Sequence, residues 1–241
     1  LTGAIGKANM MNNLGKHITN LYRGNKMANS TLLGKVKSAY DGQDILITFT
    51  KKSVNAKTGD IPQVNILVDR EKPTDAIQTG ADYSICGDCP LRPINHKDTP
   101  IEDKPCYVNC GFGPNAIYKT KDKLEKTDDK VWPIIRHGAY GDPFAVGKKV
   151  NDQVKAKAKK VLAYTHAWAN GKAKYLAAFC MASVHNLDEK AKANKLGFRT
   201  FRTVKFAASK LADDEIVCPN FTKSIQCKTC GLCGGNQTPS V

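Results

Sequence analysis

Apolar and polar positions divide the chain into two textures. Residues 44–50, DILITFT, form a β-branched and aromatic run, and 64–68 repeats that character. Between them Lys57-Thr58-Gly59-Asp60 is a turn signal, so 44–68 is expected to be two antiparallel strands joined by a long basic connection. Residues 86–114 lack periodicity and hold five prolines and four cysteines. A segment of that kind builds no core of its own and needs a staple, which a metal would supply.

From residue 131 onward strand-like and helix-like stretches alternate. Residues 131–135 read as a buried strand ending at Arg136-His137-Gly138, while Val150, Val154, Ala158 and Val161 recur at helical spacing among lysines. Residues 163–168 and 175–184 read as strands, the second apolar enough for a core. Asn186 with Glu189 three positions on reads as a helix start and Gly197 as its stop. Strands at 198–204 and 215–218 complete the series. This alternation predicts an α/β fold, a mostly parallel sheet or partial (β/α) barrel built from βαβ units. An N-terminal β-hairpin and a cysteine-rich, metal-stapled loop region are added to it.

The expected organisation is a basic, weakly ordered extension over 1–29 and a single α/β domain over 30–241. That domain contains the hairpin 44–68, the cysteine-rich insert 86–114 and a C-terminal cysteine loop 218–235. The extension carries no acid and lacks a long apolar segment. It is read as a leader, a basic arm, or sequence upstream of a start at Met27.

Charge narrows the partners. Lys and Arg number 37 against 22 Asp and Glu, a net +15, which favours a polyanion; nucleic acid is the expected partner. The longest apolar run, 175–184, is ten residues, too short to span a bilayer. No G-x4-G-K-[ST] phosphate loop is present, and no two histidines stand two apart as in the metal-binding pair of rolling-circle initiators.

Nine cysteines, an odd number with three C-x-x-C spacings, favour metal binding in a reducing compartment over a disulfide framework. Cys86, Cys89, Cys106 and Cys110 approach a zinc-ribbon spacing, with one residue too many in the second pair. Cys218-Pro219 followed by Cys227, Cys230 and Cys233 resembles bacterial ferredoxin ligation, except that the Cys-Pro lies upstream. An iron–sulfur cluster is expected, with zinc as the alternative, and pairing across the two groups stays open. Cys180, inside an apolar run, reads as an inert buried thiol. A radical S-adenosylmethionine motif is absent, because the cysteine it needs after Cys110 is replaced by Gly113.

Parallel α/β sheets place their sites at the carboxyl ends of strands. Those ends supply His137 and His166 as proton-transfer candidates, Asp142 as an orienting or ligand partner, and Arg136, Arg199 and Arg202 as an anion clamp. Two readings follow. In one, an enzyme acts on nucleic acid or a nucleotide through these residues; in the other, the metal is structural and a basic face binds nucleic acid without catalysis.

In Cys86-Gly-Asp-Cys89-Pro-Leu-Arg-Pro, Cys106-Tyr-Val-Asn, Arg136-His-Gly-Ala-Tyr-Gly-Asp-Pro143 and Cys227-x-x-Cys-Gly-Leu-Cys-Gly-Gly235, the chain resembles a family of small cysteine-rich tailed-phage proteins. The resemblance runs from about Thr31 to the end, and some members carry a rolling-circle-replication label. It implies a phage-encoded protein working in the cytoplasm of a bacterial host.

Overall fold

The computed structural model describes residues 29–99, 105–204 and 210–237. The expected basic extension, 1–29, lies outside the described residues except for Asn29. Among the described residues eight strands form two sheets. The first has the order β1 (Ser30–Lys37), β2 (Asp44–Thr50), β3 (Gln63–Val68), β4 (Trp132–Tyr140), β5 (Ala158–Leu162). β1, β2 and β3 pair antiparallel, whereas β4 runs parallel to both β3 and β5. The second sheet, β6 (Tyr164–Thr165), β7 (Met181–Val184) and β8 (Thr200–Arg202), is wholly parallel. The hairpin and the parallel βαβ units are therefore present, arranged as two sheets.

β2 and β3 are central strands buried on both faces, which is why they read as continuous apolar runs instead of alternating. β1 is the additional strand the sequence pattern hides. Gly34 and the lysines 35 and 37 break its apolar character, as suits an edge strand, and a bulge interrupts its register near Leu33. The crossover from β3 to β4 carries α1 (Pro73–Thr79), α2 (Tyr83–Cys86) and α3 (Gly113–Lys119), with the cysteine-rich insert between the last two.

Three expectations are corrected. The helical spacing of Val150, Val154, Ala158 and Val161 spans two elements: α4 (Gly147–Ala156) buries Val150 and Val154, and Ala158 and Val161 belong to β5. The open edge of β4 needs ladder partners, and β5 supplies them from Ala158 against Trp132 to Leu162 against Arg136. The run 175–184 is mostly not a strand. Its first part completes a 3-10 helix, Gly171–Ala178, whose Ala- and Lys-rich sequence has low β-propensity, and β7 begins at Met181. Residues 215–218 join no ladder, and of 198–204 only Thr200–Arg202 does.

The expected helix after Asn186 is α5 (Leu187–Lys195). The Asn186 carboxamide oxygen accepts from the Glu189 amide at 2.8 Å, and the Glu189 carboxylate in turn accepts from the His185 amide at 2.7 Å. Asn186→Ala is expected to cost about 1 kcal/mol, read as a lower denaturant midpoint at unchanged slope.

Two apolar cores lie under the two sheets, the first around Ile47, Ile66 and Ile135, the second around Leu176, Phe179 and Val184; the ring of Tyr40 packs against both. Where β5 passes into β6, Ala163 leaves the ladder and its amide donates to the Cys233 carbonyl at 3.2 Å. The C-terminal cysteine loop is thus seated at the junction of the sheets. A bulge in β4 at 138–139, with both Gly138 and Gly141 at positive φ, swings the chain toward Asp142. A Cβ on Gly141 would lie 2.8 Å from the Ile66 Cβ, so only glycine fits this approach.

Candidate functional site

The strand-end residues do not assemble as a proton-transfer pair. His137 lies inside β4, fully buried, its ring stacked on Phe179 with centroids 6.4 Å apart. Its Nε2 is 2.8 Å from Asn151 Oδ1, and the Asn151 amide nitrogen donates to the carbonyls of Pro143 and Gly147. That orientation makes Nε2 the protonated nitrogen and leaves buried Nδ1 without a partner. Burial, with a smaller push from Arg136, lowers the His137 pKa to about 4, so the ring is neutral.

Asp142 is engaged elsewhere. One carboxylate oxygen accepts from the Phe144 amide at 2.9 Å and the Thr165 hydroxyl at 2.8 Å; the other accepts from the His166 amide at 2.7 Å. It ties the end of β4 to the end of β6. Burial raises its pKa to about 6 against these hydrogen bonds. His166 is partly buried and stacks parallel on His185, centroids 5.4 Å apart, and its Nε2 is 3.8 Å from Cys89 Sγ. Burial and the neighbouring His185 lower its pKa to about 4, leaving a neutral ring.

The three arginines form no clamp. Arg202 makes a two-pronged ion pair with Glu215 at 2.8 and 2.5 Å, which holds that carboxyl at about 2. Arg199 donates to the carbonyls of Leu232 and Gly235 and so pins the C-terminal cysteine loop. Arg136 is buried, donates to the Tyr107 hydroxyl at 3.0 Å and lies 4.3 Å from the centre of the Tyr164 ring.

All nine cysteines are free thiols, Cys110 and Cys180 buried and the other seven partly buried. Around the insert, burial drives the Cys86 thiol far up, and Asp82, Cys89 and Cys106 push it further. Burial likewise raises Cys89 to about 12 and Cys110 to about 11, with Cys106 adding to both. In the C-terminal loop burial raises Cys227 and Cys233. Arg136 draws both back, while Cys218 pushes on both. Cys230 also acts on Cys227. Thiols raised in this way are protonated and poor nucleophiles near neutrality.

Short turns shape both cysteine segments locally. The Cys89 amide reaches the Cys86 carbonyl at 3.2 Å, and α7 (Cys227–Cys230), which follows α6 (Pro219–Lys223), closes with the Gly231 amide on the Cys227 carbonyl at 2.9 Å. The β2–β3 connection docks on α7 through Lys57, whose carbonyl accepts from the Cys227 amide at 2.9 Å. Among the described residues no three His, Cys, Asp or Glu side chains already converge as a ligand set. What bears on a metal is therefore donor chemistry alone: thiols as soft ligands suit zinc or an iron–sulfur cluster.

Sequence reading missed Asn151, Tyr107, Tyr164 and the buried pair Arg92–Asp82, at 2.6 Å, that anchors the insert. Only the alternation of Arg136 and His137 on a strand buried on both faces hinted that both needed internal partners. Cys180 is fully buried, as expected. No helix among the described residues is long and apolar enough to cross a membrane. Comparison with known proteins gave no match to a family model, a curated protein or a solved structure.

Proposed function

We propose that this chain is a thiolate-bound metalloprotein that binds nucleic acid through its basic half without catalysing a reaction on it. The observation that carries the metal reading is Arg136. A buried guanidinium calls for compensating negative charge, yet among the described residues no carboxylate lies within ion-pair reach of it. Its ionisable neighbours are Tyr107, Tyr164 and the Cys233 thiol. Metal binding deprotonates thiols, so Cys218, Cys227, Cys230 and Cys233 around a metal would form the anionic centre this cation lacks. An iron–sulfur cluster is the first choice there and zinc the alternative. Such a group supplies a crosslink between loop and core. Nine free thiols suit the reducing cytoplasm of the bacterial host proposed for a phage protein.

The non-catalytic reading is favoured because His137 is sealed, Asp142 is spent on three donors and Arg202 is ion-paired. Nucleic-acid binding draws support from charge asymmetry: over 147–204 thirteen Lys and Arg stand against three Asp and Glu, a local +10. On this half an open cleft is lined by Trp168, Lys192 and Lys195 with Glu189 and Leu196, an aromatic face beside two exposed cations. Such a pairing suits stacking of an unpaired base with phosphate contacts.

Metal analysis and visible absorbance of anaerobically prepared protein test the first half: bound metal with masked thiols is expected, and protein without metal would refute it. For the second, single-stranded DNA should bind with a steep salt dependence. Lys192→Glu with Lys195→Glu should weaken binding and flatten the slope of log K against log salt by roughly 1.4. Salt-independent binding, or none, overturns the partner.

A further inference from the structure

The basic cleft holds one group that a phosphate-binding face does not call for. Glu189 lines it together with Trp168, Ala169, Lys192, Lys195 and Leu196, around a volume of about 590 Å³. That space admits a heterocyclic base with its sugar. A carboxylate there repels phosphate, so its presence needs another account.

Its position is fixed. One Glu189 oxygen accepts from the His185 amide at 2.7 Å and the other from the Asn186 carboxamide at 3.1 Å. An ionised carboxylate has about four lone-pair sites, two on each oxygen. Capping the helix therefore uses half of them and leaves one acceptor on each oxygen, side by side. Trp168 is fixed as well. Its Nε1 donates to the Ser183 carbonyl at 3.0 Å, and the Thr165 hydroxyl accepts from the Ala167 amide at 3.0 Å in the turn that carries it. A rigid aromatic ring and rigid acceptors bind with little ordering cost.

Two adjacent acceptors select a ligand edge with two adjacent donors. Among the four DNA bases only guanine has such an edge, its N1–H beside its N2 amino group. Thymine carries carbonyls on both sides of its N3–H, and cytosine and adenine set a ring acceptor beside their amino group. Each of those three brings a lone pair against the carboxylate. Resting on the nucleic-acid reading above, we infer that this cleft seats a guanine of a single strand, its ring on Trp168 and its N1–H and N2 amino group on Glu189, with Lys192 and Lys195 taking the flanking phosphates. Stacking and phosphate contacts serve any base, so Glu189 is the residue that sets specificity.

Binding of the whole chain to oligothymidylate with one central replacement tests this, read by fluorescence anisotropy at fixed salt. A central guanine should bind about 5–150-fold more tightly than the all-thymine strand, the range a bidentate base contact supplies. Hypoxanthine, which lacks the N2 amino group, should recover only part of that gain, and it probes the contact in the unaltered chain. Glu189→Gln keeps an acceptor for the His185 amide but turns an N–H donor on guanine, and it should erase the preference. Equal binding of guanine and thymine strands by the parent, or a preference that survives Glu189→Gln, overturns the guanine reading and leaves strand binding standing. If dGMP binds as tightly as the guanine strand, this is a free-nucleotide site and the strand is overturned. If no strand binds, both readings fall together.

Discussion

On the metal reading proposed above, treatment with a thiol-competing chelator is expected to expose both cysteine loops to protease while the five-stranded sheet keeps its hydrogen-exchange protection. Structural zinc contributes apparent binding energies on the order of 10 kcal/mol to small sites, and the segments it would lose here have little else. The insert contributes Cys110 and the partly buried Cys86 and Val108 to the first core, and it is anchored mainly by Arg92, which bonds Asp82 and the Gly80 carbonyl. The C-terminal loop is held by Cys233 on Ala163, by Gln226, Cys227 and Lys228 on the 56–60 segment, and by Arg199 on Leu232 and Gly235. Central strands β2 and β3, buried on both faces, do not depend on either loop. Mass-spectrometric mapping of early cleavage sites before and after chelation decides the matter. Identical maps would mean that no metal holds these loops.

Replacing His137 is expected to produce the second largest effect, in stability and not in binding. Its ring is fully buried, and Ala in its place leaves a cavity beside Phe179 and orphans Asn151 Oδ1, a loss of about 3 kcal/mol by comparison with other buried rings. Acid adds a separate signature. The folded pKa, about 4, lies below the ordinary 6.5, so between those values the unfolded chain binds the extra proton. Stability therefore falls as pH drops from about 6.5 toward 4 and changes no further through this group below that, a total on the order of 3 kcal/mol. His137→Gln, which keeps a donor for Asn151 and cannot ionise, should flatten the decline over that window. Denaturant melts at several pH values measure it, and an unchanged profile in His137→Gln would show that the buried ring is not its source.

Legibility differed from element to element for physical reasons. DILITFT and QVNILV were readable because strands buried on both faces need no alternation, and the Asn186 cap because its hydrogen bonds are local. β1 was hidden because an edge strand carries glycine and lysine for solvent reasons and is recognisable only by its partner. At 158–162 and 171–180 short apolar runs satisfy helix and strand periodicity alike, and the open edge of β4 decided the first case. The candidate site divides in the same way. Two cysteine-rich segments were legible from spacing, though among the described residues no three such side chains converge as a ligand set; the expected roles of His137, Asp142, Arg199 and Arg202 rested on strand-end position and did not include the partners those side chains would meet.

What the amino-acid order determined alone was local or summed: the alternation that makes an α/β fold, a capped helix, two cysteine-rich segments and a large positive charge. Tertiary structure decided which polar groups are free. Asn151 closes over His137, Glu215 neutralises Arg202, and Cys89 meets His166 across 77 positions of sequence. Burial and charge compensation depend on what distant segments bring to one place, and no periodicity along the chain encodes that.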